Sequence, residues 1–101
     1  MDVYRHGDVL IAPIETIPES AARRSDLILA RGEITGHSHR IEADDAAELY
    51  EFGDELFLRV IGSPASVLHE EHDVIRLPPG AYRVWRQREY DLLKVERWIE
   101  D

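Results

Sequence analysis

The sequence predicts an all-β protein, either a small single-domain β-barrel or a two-sheet sandwich. Three observations carry that prediction. Apolar residues come in short alternating or continuous runs of about four to eight residues, the length of strands. Turn signals such as Gly7-Asp8, Gly53-Asp54, Gly62-Ser63-Pro64 and Pro78-Pro79-Gly80 punctuate those runs, with roughly seven to nine short strands as the result. The chain has 101 residues, 44% of them hydrophobic and 33% charged, which suits one soluble domain over residues 1–101 with a single modest core.

Taken in order, Gly7-Asp8 is a turn and Val9 to Ile14 an apolar strand, with Pro13 confining it to an edge or a strand end. His6, just before that turn, reads as an ordinary turn or surface histidine. Residues 15–25 read as a loop with one helical turn opened by Pro18. Asp26 to Ala30 is a short strand. Gly32-Glu33 then turns into a strand carrying Thr35, His37, His39 and Ile41 on one face, because side chains two apart on a strand share a face. Ala46 to Phe52 and Glu55 to Ile61 form a hairpin around Gly53-Asp54, with Leu56, Leu58 and Val60 on one face. Ala65 to Glu70 is extended, and Val74 to Leu77 is a strand closed by Pro78-Pro79-Gly80. Ala81 to Tyr90 is the longest extended run, with Tyr82, Val84, Arg86, Arg88 and Tyr90 on one face. Residues 91–101 fit a last strand or a short helix, since Leu92, Val95 and Ile99 also match a 3.6-residue period.

Composition removes several classes of function. There is no cysteine, so disulfides, thiolate metal sites and cysteine nucleophiles are excluded. The net charge of -9 argues against broad nucleic-acid binding and against anionic membranes. No apolar run approaches the ~20 residues of a membrane span, and Met1 to His6 is followed by no signal-peptide core. A cytoplasmic location is expected. Phosphate loops, dinucleotide fingerprints, nucleophile elbows and EF-hand loops are missing.

The chemistry-bearing residues are histidines. Four of the five fall in two pairs, His37/His39 and His69/His72. Neutral imidazole suits zinc, iron, copper and nickel. A His-x-His pair on one strand face supplies two ligands without backbone strain, and a His-x-x-His pair at a turn adds one or two more. Either pair alone is read as ordinary packing; the two together predict one shared site. His72 joins only if the chain turns after His69, since an extended segment would point the two to opposite faces. Glu70, Glu71 and Glu42 could complete the shell or act as a base, and Thr35 and Ser38 could orient the imidazoles. The metal expected is a divalent transition ion, zinc or iron first, with nickel, copper or manganese also permitted. A second group, Arg83, Arg86, Arg88 and Tyr90, could bind an anion or donate a proton. For Arg83 and Arg86 the stronger reading is cross-strand ion pairs.

The stretches GEITGHSHR (residues 32–40), HEEH (69–72), LPPGAY (77–82) and RQREY (86–90) resemble those of small uncharacterised bacterial proteins of similar length. His37, His39 and Glu42 are also similar to the first motif of cupins. That likeness implies a β-barrel with a metal at its centre, and His69 or His72 would take the place of the second cupin motif's histidine.

The leading expectation is a mononuclear metal site on His37, His39, His69 and His72, with Glu70 or Glu71 as ligand or base. It would serve metal-assisted hydrolysis or oxygen chemistry on a small-molecule or nucleic-acid substrate. The first rival is metal-free acid–base cleavage of a phosphodiester using histidine, glutamate, Arg88 and Tyr90. The second is a non-catalytic accessory or binding module, with a homodimer through an edge strand as its expected assembly.

Overall fold

A computed structural model describes residues 3–32 and 36–87 of the chain. Ten strands follow one another among the described residues: β1 (Tyr4–His6), β2 (Val9–Ile14), β3 (Ala22–Arg23), β4 (Ile28–Arg31), β5 (Ser38–Ile41), β6 (Ala47–Phe52), β7 (Glu55–Val60), β8 (Ala65–Leu68), β9 (Ile75–Leu77) and β10 (Gly80–Arg86). They form two sheets, one ordered β1-β2-β10-β7-β6-β3 and the other β4-β5-β8-β9. Every pairing is antiparallel. No closed barrel forms among the described residues, so the sandwich is the form the protein adopts.

Two hairpins use the same turn chemistry. Gly7-Asp8 joins β1 to β2, and Gly53-Asp54 joins β6 to β7. The glycines have φ of 63° and 62°, while no other residue type is found at positive φ among the described residues. A glycine at positive φ followed by a residue at negative φ is the type II′ pattern, whose twist matches that of the flanking strands.

The core lies between the sheets. Val9, Ile11, Leu49, Leu58, Val60, Tyr82 and Val84 from the larger sheet meet Leu29, Ala30, Ile41, Ala65, Val67 and Leu77 from the smaller one. The period-2 pattern put Leu58 and Val60 on one face of β7 and Tyr82 and Val84 on one face of β10. Both pairs are in the core, with Leu56 partly buried against it. Tyr82 keeps its hydroxyl paired by donating to the Pro78 carbonyl, as a buried phenol must.

Several boundaries differ from the sequence prediction, each for a local reason. β1 and β3 have three and two residues, too few to show alternation. The Pro18 segment makes a single turn, with Ala21 N–H donating to Pro18 O at 3.0 Å. It then enters β3, where Ala22 lies opposite Glu51. β4 begins at Ile28 rather than Asp26, because the Asp26 carboxylate accepts the Ile28 N–H at 3.0 Å and holds the chain in a turn. β5 begins at Ser38, since Gly36 has φ 75° and breaks the extended run before His37. Pro13 sits on β2 beyond the residues that β1 pairs, opposite Tyr82 of β10. The element expected over residues 91–101 lies outside the described residues. Among the described residues, no helix is long and apolar enough to cross a membrane.

Leu58 is fully buried where the sheets meet, whereas Ile61 is 46% exposed. Leu58→Ala is expected to lower the unfolding free energy by roughly 2–5 kcal/mol, and Ile61→Ala to change it by less than about 0.5 kcal/mol, both read by urea denaturation.

Candidate metal centre

The pairing of β5 with β8 decides where the histidines go. Arg40 lies opposite Leu68 and Ile41 opposite Val67. Continuing that register beyond the ladder puts His39 opposite His69, Ser38 opposite Glu70, and His37 opposite Glu71. The side chains follow it. The His39 and His69 rings have centroids 4.3 Å apart. Ser38 N–H donates to Glu70 Oε1 at 3.2 Å. His37 Nδ1 lies 2.8 Å from Glu71 Oε1. The chain bends over residues 70–72, which turns His72 back to a centroid distance of 4.6 Å from His69 and 5.5 Å from His39.

His6 is the member sequence reasoning missed. It ends β1 and is 2% exposed, not a surface residue. Its Nδ1 lies 2.8 Å from His39 Nδ1, and its Nε2 2.8 Å from the Asp73 carbonyl oxygen. The only signal for it was its place at the mouth of a Gly-Asp hairpin. The face it occupies depends on how the two sheets pack. Gly7 makes room for the group. A Cβ there would stand 2.7 Å from His72 Nε2 and 2.9 Å from His39 Cε1, so glycine is required for close approach as well as for its φ of 63°.

Donor and acceptor counting fixes the tautomers. A carbonyl only accepts, so His6 Nε2 carries a proton. Burial pulls the His6 pKa below the usual imidazole range, with His72 and His69 adding to the fall against the opposing Asp73 carbonyl. Neutral His6 then presents a lone pair at Nδ1, and His39 must donate its Nδ1–H. The His39 pKa is lowered to about 4, by burial first and by His69 and His6 next, so the ring is neutral at pH 7 and its Nε2 holds a lone pair. That lone pair faces Asp8 Oδ1 at 3.6 Å. Asp8 remains ionised: burial would raise its pKa, but the hydrogen bond and charge of Arg86 lower it, with Arg86 Nη2 at 3.2 Å from Oδ2. Two acceptors thus face each other with no proton between them, an arrangement that a cation relieves.

His69 is set differently. Its Nδ1 accepts the Glu71 N–H at 2.9 Å. A neutral ring coordinating through either nitrogen must give up that bond. Ligation through Nε2 puts the proton on Nδ1, and ligation through Nδ1 uses the lone pair itself.

Among the described residues, two groups have ligand atoms all within 4.8 Å of one another: His39, His69 and His72, and His37, His69 and Glu70. Glu70 is bound by Arg40 at 3.0 Å. Its pKa is held down to about 2 by its own backbone N–H, then by the Ser38 N–H and Arg40, against desolvation. Glu42 follows β5 on the exposed surface and belongs to neither group. Arg83 pairs with Glu55 at 3.4 Å and lies over the Trp85 ring, while Arg86 pairs with Asp8. Arg88, Tyr90 and Thr35 lie outside the described residues. A groove of about 440 Å³ is lined in part by Leu29, Arg31, Leu56, Trp85 and Arg86, with none of the histidines on its walls.

Nitrogen-15 NMR of the imidazoles in metal-free protein tests the proton assignment. His39 is expected as the Nδ1–H tautomer at neutral pH, remaining neutral until the pH nears 4. An Nε2–H tautomer for His39 would rule out the chain from Asp73 through His6.

No curated protein and no solved structure matches the chain. A family model described as a domain of unknown function (DUF8820) matches residues 5–87. That span contains all five histidines together with Asp8, Glu70 and Arg86, and the chain belongs to this family.

Proposed function

We propose that the protein binds a divalent transition-metal ion at a mononuclear centre made by His39, His69 and His72. The observation that carries this reading is the convergence of their ligand atoms within 4.8 Å, from two strands' ends and a turn. Supporting it, His39 is neutral and has its Nε2 lone pair aimed away from His6. Asp73 and His6 orient it as outer partners commonly orient a metal-bound imidazole. Three neutral nitrogens with a coordination position left over suit zinc first, and such an ion lowers the pKa of a bound water enough to supply hydroxide near neutral pH.

Metal-assisted hydrolysis of a small molecule is the activity this donor set favours. The groove beside Arg86 is within the size range of small-ligand pockets, and Arg86 links it to Asp8 and so to His39. Glu71, at 2.8 Å from His37, is the carboxylate placed to accept a proton on the outer side. The likeness of the His37–His39 stretch to the first cupin motif supports the same reading, with a sandwich in place of a closed barrel.

Native mass spectrometry of the full chain, purified without a polyhistidine tag, tests the proposal. One zinc per chain is expected, lost in His39→Ala and in His72→Ala. Free zinc at 100 times its dissociation constant should add about 2.7 kcal/mol to unfolding, seen as a higher Tm. No stoichiometric ion, with Tm unmoved by zinc, iron, nickel and copper, would remove the reading.

A further inference from the structure

The second ligand group, His37, His69 and Glu70, is not used by that centre except through His69. It rests on different residues: one imidazole before β5 begins, and one carboxylate in the bend after β8. Glu70 and His72 are both exposed, and the two groups differ at the remaining residue: His37 is part-exposed where His39 is 6% exposed. The outer group therefore lies nearer solvent at that end.

We infer that His37, His69 and Glu70 form an outer cation position through which a metal ion enters and leaves the His39–His69–His72 centre. The inference rests on the metal reading above. The two positions share His69. A neutral imidazole has a single ring-nitrogen lone pair, whichever nitrogen carries it, and that lone pair coordinates one ion at a time. The positions are thus alternatives, not halves of a two-metal site. An ion held by His37 and Glu70 keeps one contact, His69, while the others are exchanged for His39 and His72.

The surroundings favour this route. Gly7 backs His72 so closely that a Cβ would not fit. His6 and the Asp73 carbonyl close the floor. On the Asp8 side the Arg86 guanidinium neutralises the one carboxylate and repels an incoming cation. On the Glu70 side two carboxylates, Glu70 and Glu71, face a single guanidinium, Arg40, among the described residues. That mouth has a net negative charge, which draws cations toward it.

A contact made only on the way in alters both rates and leaves the equilibrium alone, as any interaction confined to a transition state or intermediate does. Zinc uptake by stopped flow and zinc release to a chromophoric chelator are the rates to measure, with calorimetry for affinity and stoichiometry. Glu70→Gln and His37→Gln are the variants, with exposed Glu42→Gln as control. One zinc per chain is expected throughout. Uptake and release should both slow by about tenfold in the two variants, the loss of one charge-assisted contact, with Kd within about threefold of wild type and the control unchanged. Two zinc ions bound per wild-type chain would overturn the inference. So would unchanged rates, or faster release with weaker binding. If wild type binds no zinc, the metal reading itself fails and this inference falls with it.

Discussion

The histidine cluster depends on the register of β5 against β8. Only Arg40↔Leu68 and Ile41↔Val67 are paired, yet those two pairs bring His39 to His69 and His37 to Glu71. A slip of one residue would turn every side chain of one strand to the other face. Ile41 or Val67, according to which strand slipped, would leave the core, where they are 3% and 0% exposed. Core burial therefore fixes the site: the apolar residues that hold the sheets together also set the imidazoles opposite one another.

Once gathered, the imidazoles need partners. Buried polar groups without hydrogen bonds cost on the order of 1–3 kcal/mol each. His6 meets that requirement by donating to Asp73 O and accepting from His39, which leaves His39 Nε2 with a lone pair toward the ionised Asp8. The geometry has a direction, from a backbone carbonyl through two rings to an open lone pair. By the same donor counting, a metal on His69, as proposed, would replace the bond its Nδ1 accepts from the Glu71 N–H.

Much of this was legible in the sequence. The Gly-Asp turns, the alternation on β7 and β10 and the two spaced histidine pairs carry local signals that tertiary packing left intact. The approach of His37 and His39 to His69 was expected from metal-ligand preference, and it is realised through a register no local pattern encodes. His6 was read as a surface residue because a three-residue strand has no measurable period, and its face is chosen by the opposite sheet. Asp8 was legible only as turn chemistry. Its link to Arg86 spans most of the chain and depends on β2 pairing β10. For Arg83 and Arg86, the abundance of acids already favoured ion pairs over a free anion site, and ion pairs are what they make.

The most direct measurement is X-ray absorption at the zinc edge of zinc-loaded protein. Three imidazoles at about 2.0–2.1 Å, with one oxygen donor in the remaining position, are expected for His39, His69 and His72. A shell of oxygen donors with no imidazole scattering would contradict a histidine centre and leave the convergence of the five rings to be explained by hydrogen bonding alone.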